Sequence, residues 1–332
     1  MTGFSMRLRA ACLLCMFVFF LAPVFRTHPA LAETASFGTA SFGTASFDRS
    51  AESIDLGNVV VRDFPAFYTF LEKFPNLRHV DMFETRMYKE TIEETAARFP
   101  DITFGWTMAF AEHVVRTDAT VFSTLHEAKS NRHRDEYMSL LRYCHNLRLL
   151  DIGHNAVTDL SFLYGMPELR VLIIAVNQIS DLTPVASLRH LEYLEMFNNY
   201  VTDLSPIAGL TNLLDLNIGW NYIQDVTPIL GLKNLQRLWC GKAYDRDALL
   251  SFPQAMRDTI LEALPGLEFF LSENPTGGTW RQHERYGQIK HMYRTGVYEP
   301  FADSFPDDSP APVLVDRPAS QRVRRVIRIE IE

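Results

Sequence analysis

Histidines are the side chains of this chain best suited to catalysis or metal binding, and we take five of the ten, all in two irregular segments, as candidates. They are His113, His126 and His133 within residues 105–146, and His283 and His291 within residues 276–301. A histidine pair eight residues apart lacks the spacing of a metal site, and the chain has no His-Glu-x-x-His, Gly-x-Ser-x-Gly or glycine-rich phosphate-binding motif. We therefore predict no catalysis, no metal and no cofactor. An enzyme is the alternative, and these five histidines would carry its chemistry.

Four asparagines stand 22 residues apart and mark a repeat: Asn155, Asn177, Asn199 and Asn221. Each ends a phrase of the form Leu-x-Ile/Met-x-x-Asn. A buried carboxamide can donate to and accept from the backbone groups that a turning chain leaves pointing inward. We therefore interpret these asparagines as a structural ladder rather than as catalytic groups.

Apolar residues recur at fixed distances from each asparagine. Leucine lies five positions before it and isoleucine or methionine three before it, which is the alternation of a strand with one buried edge. Apolar residues also follow two and five positions after it, and proline follows at seven in three of the four copies. A single unit of this length cannot bury such a set alone, so neighbouring units must stack.

The phrase LEYLEMFNNYVTDLSPIAGLTNLLDLNIGWNYIQDVTPILGLKNLQRL, and residues 147–240 as a whole, resemble the short 22-residue leucine-rich repeats of internalin-like bacterial surface proteins. Residues 75–85, 99–108 and 276–301 are similar to the flanks of secreted bacterial leucine-rich-repeat proteins. The resemblance implies an α/β fold: a right-handed solenoid with a concave parallel β-sheet and irregular N- and C-terminal caps. It also implies binding of a protein or a glycan.

Side chains alternate along a strand, so positions six, four and two before each asparagine are expected to face the concave, solvent side. Together with the residue before the asparagine they supply the predicted ligand-binding surface. Its members are Val171, Ile173, Tyr193, Glu195, Phe197, Asp215, Asn217, Trp220, Arg237 and Trp239. Aromatic residues within a charged rim are typical of protein-binding hot spots. The predicted ligand is therefore a protein.

Two alternatives to a protein ligand on this face stay open. Tryptophan and tyrosine rings beside carboxylates also suit a carbohydrate. Alternatively, a flanking element such as the C-terminal segment covers the face and makes these side chains internal. For the aromatic and basic residues between 274 and 301 we predict packing onto the end of the solenoid rather than a ligand site.

Two of the four cysteines, Cys144 and Cys240, fall on core positions of the repeat. Four steps of a ladder with strands ~4.8 Å apart separate them by about 19 Å, well beyond the ~7 Å limit between the Cα atoms of a disulfide. We therefore predict two buried free thiols.

The first 32 residues have the parts of a signal peptide. Arg7 and Arg9 precede an apolar stretch over residues 10–25, and Ala30-Leu31-Ala32 is a small-x-small cleavage site. We predict export to the medium or the cell envelope, with an uncleaved signal segment as the alternative membrane contact. Cleavage removes three of the 32 basic residues and none of the 40 acidic ones, so the net charge falls from −8 to −11. Such a chain is not expected to bind nucleic acid.

The patterns divide the chain into six regions. These are the signal peptide (1–32), a low-complexity linker (33–50), irregular N-terminal repeats with a cap and an insertion (51–146), regular repeats (147–242), a C-terminal cap with a flanking segment (243–301), and a Pro- and Asp-rich tail whose alternating end suits an edge strand (302–332). Within the caps we predict strands at 53–56, 79–82, 113–125 and 267–271, and helices at 64–74, 86–98, 136–144 and 247–264.

Overall fold

The structure is a computed structural model that describes residues 39–43, 45–57, 59–110, 113–124, 134–240, 254–270 and 279–306. The predicted signal peptide and the tail strand lie outside the described residues. Among those residues no helix combines the length and the hydropathy that crossing a membrane requires.

The region predicted as a low-complexity linker contains a β-hairpin. In it, β1 (Thr39–Phe42) pairs antiparallel with β2 (Ala45–Asp48). Its phenylalanines pack on the helix that follows, and the ring centroids of Phe42 and Phe67 lie 5.3 Å apart. The prediction of a disordered linker is therefore wrong for residues 39–48. Phe42 and Phe47 supply the apolar contacts that order the hairpin.

A four-stranded sheet forms the N-terminal cap, in the order β3-β4-β5-β6. Its elements are β3 (Ser53–Asp55), α1 (Phe64–Leu71), β4 (His79–Met87), α2 (Lys89–Arg98), β5 (Thr103–Phe110) and β6 (His113–Arg116). The first three strands are parallel and β6 returns antiparallel to β5. The two strands and two helices predicted for residues 53–98 are confirmed.

A second, seven-stranded parallel sheet carries the regular repeats. Its strands and accompanying helices are β7 (Val121–Ser123), α3 (Asp135–Met138), β8 (Leu149–Asp151), β9 (Val171–Ile173), β10 (Tyr193–Glu195), β11 (Asp215–Asn217), β12 (Arg237–Trp239), α4 (Gln254–Ala263) and β13 (Glu268–Phe270). The strands pair in the register of the repeat, so Leu172, Leu194 and Leu216 lie side by side. This confirms the predicted α/β solenoid with a parallel sheet.

The main hydrophobic core lies between this sheet and the outer turns. The side chains five and three positions before each asparagine, from Leu150 to Ile218, are at most 3% exposed. On the outer side the chain turns through short 3₁₀ helices that contain Pro184, Pro206 and Pro228. An aspartate caps each turn, because its carboxylate accepts the backbone N–H two residues on.

The asparagine ladder joins successive repeats. The Nδ2 of Asn199 donates to the carbonyl of Ile174 in the preceding repeat at 2.9 Å and to that of Met196 in its own at 3.0 Å. Its Oδ1 accepts the N–H of Ile179 at 3.0 Å. Asn177 and Asn221 make the same set of bonds. The structural interpretation of the ladder is therefore confirmed.

The residue before each ladder asparagine adopts the left-handed conformation, with φ between 54° and 58°. These residues are His154, Val176, Asn198 and Trp220. The left-handed region costs most L-residues about 1–2 kcal/mol, and asparagine tolerates it best. Because the conformation recurs in every copy, it is a property of the turn that follows each strand.

Past β13 the chain forms α5 (Thr279–Gln282) and α6 (Glu284–Thr295) and then continues in extended form to residue 306. We call residues 279–306 the cover segment. Gly296, with φ 70°, ends α6 in the left-handed conformation that favours glycine. Tyr286, Ile289 and Met292 recur at a spacing of three and are buried, so α6 has one apolar face.

Both cysteines within the described residues, Cys144 and Cys240, are buried free thiols, as predicted. Burial raises the pKa of each thiol above its ordinary value. Both side chains stay neutral and unreactive at neutral pH.

Candidate recognition surface

The concave side of the sheet is buried. Nine of the ten residues predicted as a ligand-binding surface are at most 2% exposed: Val171, Ile173, Tyr193, Glu195, Phe197, Asp215, Asn217, Arg237 and Trp239. Trp220 is partly exposed. The prediction that these side chains face solvent is therefore wrong. The physical reason is that the cover segment packs across the face.

A second hydrophobic cluster lies between the concave strands and the cover segment. The strands contribute Leu149, Val171, Ile173, Ala175, Tyr193, Phe197 and Trp239, and the cover segment contributes Trp280, Tyr286, Ile289, Met292 and Phe301. Burying one large apolar side chain stabilises a fold by about 1.5–3 kcal/mol. The cover segment is thus held by its own hydrophobic core, separate from the core inside the repeats.

Trp280 lies at the centre of the aromatic contacts. Its ring packs against Tyr193 at 5.8 Å and edge-on against Trp239 at 6.1 Å, measured between ring centroids. The guanidinium of Arg237 lies 4.3 Å from the centroid of the Trp280 ring. Offset and edge-on aromatic pairs and a cation over an indole each add attraction beyond area burial.

Glu195, the last residue of β10, is the first of three carboxylates on the concave strands that the cover segment contacts. It accepts hydrogen bonds from the Tyr193 hydroxyl at 2.7 Å, the Trp280 Nε1 at 3.1 Å and the Arg281 guanidinium at 2.8 Å. Burial and the Glu195 charge raise the pKa of Tyr193 well above its ordinary value. Burial opposes the charge of Arg281, but the Glu195 carboxylate more than offsets this and raises its pKa. The two residues form an ion pair in which the Glu195 side chain is fully buried and the Arg281 side chain is 25% exposed.

Asp215, on β11, is held by two arginines. Arg237 from the neighbouring strand binds it in a bidentate manner at 2.7 and 2.9 Å, and Arg285 from α6 donates at 2.7 Å. Arg285 also pairs with Asp303 and with the side-chain oxygen of Gln236. A planar guanidinium that makes several charge-assisted bonds fixes orientation as well as adding energy.

Asp151, on β8, is held differently. Its carboxylate accepts the Tyr293 hydroxyl at 3.1 Å and the Gly153 N–H at 2.9 Å. Within the described residues no lysine or arginine forms an ion pair with it, although Arg281 acts on it at longer range. Burial raises its pKa to about 7, the Glu195 charge adds to this rise, and the bonds from Gly153 and Tyr293 oppose it.

The end of the cover segment returns to the edge of the same strands. The Ser304 hydroxyl donates to Glu192 at 2.5 Å, and the Phe305 N–H donates to the same carboxylate at 3.3 Å. Glu192 is itself paired with Arg170 at 2.6 Å. The cover segment is therefore anchored at both its helical and its extended parts.

The length of α6 matches the spacing of the strands below it. Arg285 contacts β11 and Tyr293 contacts β8. Eight residues of helix span about 12 Å, and three steps between parallel strands span about 14 Å. The helix therefore crosses the strands and presents one polar contact at each end.

Residues 145–188 match a family model described as leucine-rich repeats in two copies. Beyond this match, β10, β11 and β12 pair in register at the same spacing of 22 residues. Residues 145–188 of this chain are therefore a pair of leucine-rich repeats.

The fold is similar to that of several solved leucine-rich-repeat structures. An internalin, InlF, of Listeria monocytogenes has 22% identity and a TM-score of 0.39 over 62% of this chain and 64% of its own length. Internalin C2 of the same species has 19% identity and a TM-score of 0.34, over 69% of this chain and 86% of its own length. A leucine-rich-repeat protein of Leptospira interrogans has 21% identity and a TM-score of 0.35, over 60% of this chain and 44% of its own length. The chain thus spans less than two thirds of the length of InlF. No curated protein matches the sequence significantly.

The histidines proposed for an enzymatic alternative are not brought together. His283 lies at the N-terminus of α6, and His291 lies two turns further on, half-exposed and 4.0 Å from Glu299. His113 is in β6, while His126 and His133 lie outside the described residues. The described part of the chain holds no cluster of three or more His, Cys, Asp or Glu side chains suited to a metal.

Three buried donors in or beneath the cover segment have no acceptor within hydrogen-bonding distance among the described residues. They are the Nδ2 of Asn217, the Nε1 of Trp239 and the Nε of Arg281. An unpaired buried donor costs about 1–3 kcal/mol. The polar groups of the leucine-rich-repeat face are therefore not all satisfied by the segment that covers it.

Sequence analysis missed three residues that contact the concave carboxylates: Arg281, Arg285 and Tyr293. We had expected their segment to pack on the end of the solenoid. Two sequence signals point to them. The apolar positions 286, 289 and 292 have helical spacing, and two arginines precede them that complement the acidic residues of the concave rows. Together, these two signals would have predicted that the segment packs on the concave face.

Proposed function

We propose that this protein is a protein-interaction module whose recognition surface is the concave face, and that the cover segment is the intramolecular occupant of that surface. An external partner would bind by replacing the cover segment. The observation that carries the proposal is the pairing of Glu195, Asp215 and Asp151 with Arg281, Arg285 and Tyr293.

The composition of the covered face supports recognition over simple core packing. The core inside the repeats is built from aliphatic side chains, whereas the second cluster combines tryptophan, tyrosine and arginine with buried carboxylates. Tryptophan, tyrosine and arginine are the residues enriched at hot spots of protein interfaces. Buried ion pairs contribute little net stability compared with apolar packing but strongly restrict which partner fits.

The unsatisfied donors support a partner other than the cover segment. The side chains of Asn217, Trp239 and Arg281 each carry a buried donor atom without an acceptor. A protein ligand that placed carbonyl or carboxylate oxygens near Asn217 and Trp239 would remove the free-energy cost of their unpaired donors. The cover segment supplies no such acceptor within the described residues.

The chemistry of the face defines the partner. Glu195 and Asp215 are diagonal neighbours on adjacent strands and require two cationic groups about 7–8 Å apart. The aromatic residues around them require a flat apolar group. The expected partner is a protein segment with two basic residues and a tryptophan or tyrosine. The ring of Trp239 stacks on Phe270 of β13, which stays in place when the cover segment is displaced, so one face of this indole is not available to a sugar. The proposal includes no catalytic step.

We place this module outside the cytoplasm, on the signal-peptide pattern of residues 1–32 and the small residues Ala30 and Ala32 at its predicted cleavage site.

The test weakens the cover segment without changing the face beneath it. In the Trp280→Ala, Arg285→Ala double variant of the full chain, a synthetic peptide of residues 279–306 should bind and raise the thermal midpoint by an amount that grows with the logarithm of peptide concentration. The same peptide should not bind the unaltered protein, whose face is occupied. A peptide with Arg281→Glu and Arg285→Glu is the matched control and should not rescue either chain.

Two results would contradict the proposal. If the double variant is unfolded and the peptide restores nothing, the cover segment is a fixed part of the fold. If peptide binding is unaffected by the charge reversals, the carboxylates do not select the ligand. When the rescue succeeds, proteins captured by the double variant and released by the peptide are the candidates for the natural partner.

A further inference from the structure

The contact between Asp151 and Tyr293 differs from the other polar contacts beneath the cover segment. Glu195, Asp215 and Glu192 each have an arginine within 2.8 Å, whereas Asp151 is held by a neutral hydroxyl and a backbone N–H. Asp151 is 1% exposed. A buried carboxylate without a cation is costly when ionised and well accommodated when neutral.

We propose that Asp151 makes docking of the cover segment proton-dependent, so that its ionisation loosens the C-terminal half of α6 and uncovers the β8 end of the concave face. In the proton-bound state the carboxyl and the Tyr293 hydroxyl form a neutral hydrogen-bonded pair. In the ionised state a charge without an ion-pair partner among the described residues is buried beside Ile173, beneath the cover segment. The consequence for partner access rests on the proposed function, but the loosening itself does not.

The groups that face Asp151 come from each element packed around it. β10 contributes Glu195, α5 contributes Arg281, and α6 contributes Tyr286 and Tyr293. β7 contributes the Ser123 hydroxyl, and β9 contributes Ile173, which does not titrate. Burial raises the pKa of Tyr286 to about 12 and that of Tyr293 well above its ordinary value, so both keep their protons near neutrality.

His154, three residues further along the same repeat, is the other group that titrates nearby. Burial and the positive charge of Arg281 lower its pKa below the ordinary value. It therefore loses its proton at a lower pH than an ordinary histidine.

The direction of the effect follows from the proton balance. When the cover segment is docked, the pKa of Asp151 is about 7, above its ordinary value of 3.8. The docked state therefore binds this proton more tightly than the open state, and docking weakens as pH rises from about 4 to about 7. Docking is tightest in mildly acidic medium, and the segment opens more often in mildly alkaline medium.

The test is amide hydrogen exchange in residues 289–295 of the full chain, corrected for the intrinsic effect of pH. In the unaltered protein the opening constant should rise about tenfold between pH 6 and pH 8. In Asp151→Asn, where a neutral amide replaces the neutral acid, the rise should disappear. Asp101→Asn, which changes an exposed carboxylate, is the matched control and should behave like the unaltered protein.

A second variant keeps the test decisive if Asp151→Asn folds poorly. Tyr293→Phe removes the hydroxyl that stabilises the ionised carboxylate, so the rise in opening between pH 6 and pH 8 should become larger. Opening that is independent of pH, or equally dependent on pH in Asp151→Asn, would overturn the inference, and the second result would point to His154. Neither result bears on the peptide rescue, which tests the proposed function separately.

Discussion

Replacing Trp239 with alanine is expected to lower the free energy of unfolding by about 3–5 kcal/mol. The side chain is fully buried, its ring stacks on Phe270 at 5.4 Å and it meets Trp280 edge-on at 6.1 Å. Truncation therefore leaves a large cavity between the sheet and the cover segment. Denaturant unfolding followed by circular dichroism measures the loss.

The matched control for this prediction is Tyr88→Ala. Tyr88 is 77% exposed, and its truncation should change the stability by no more than about 0.5 kcal/mol. An equally small effect for Trp239→Ala would mean that the concave face is open to solvent. It would also mean that the aromatic residues are available to a ligand without any displacement.

Replacing Asn199 with alanine should cost about 3–4 kcal/mol, because one substitution leaves several buried backbone groups without partners. The Asn199 side chain binds the carbonyls of Ile174 and Met196 and the N–H of Ile179. These groups belong to two successive repeats, so their loss also weakens the stacking of the repeats. The measurement is again the free energy of unfolding in denaturant.

Asn234→Ala is the control for the ladder. Asn234 is exposed and makes one bond, from its Nδ2 to the carbonyl of Thr211 at 2.8 Å. Its replacement should cost about 1 kcal/mol or less. Equal losses at the two positions would contradict the view that the ladder asparagines are the main polar link between repeats.

The repeat region could be predicted from sequence because its pattern is local and periodic. The spacing of Leu172, Leu194 and Leu216 fixes both the strand register and the buried side, and the structure agrees with it. The ladder asparagines could be interpreted for the same reason. A regular turn leaves the same backbone groups unpaired in every copy.

The occupant of the concave face could not be derived from the same pattern. Whether Tyr193 or Phe197 faces solvent depends on a segment more than 80 residues away in the chain, whose contacts Trp280–Glu195 and Arg281–Glu195 have no period. Alternation identifies the side of a strand on which a residue lies but does not say what covers that side. The hairpin at residues 39–48 was missed for a similar reason. Its order depends on the contact of Phe42 with α1, outside the low-complexity phrase.

The buried concave face changes how this solenoid can bind. A partner has to compete with a segment that is covalently attached and therefore present at high effective concentration. Any signal that weakens one anchor of the cover segment increases the fraction of molecules that can bind. Among the described residues no lysine or arginine forms an ion pair with Asp151, so we expect the loss of one proton to weaken the anchor that Asp151 forms with Tyr293.

The measurement that tests the central claim most directly is a nuclear Overhauser experiment on the full chain with protonated tryptophan and tyrosine in a deuterated background. The account predicts strong cross-peaks between the rings of Trp280 and Tyr193, whose centroids lie 5.8 Å apart, and between those of Trp280 and Trp239. Absence of these cross-peaks, with Trp280 giving the sharp signals of a solvent-exposed indole, would contradict it. The concave face would then be open.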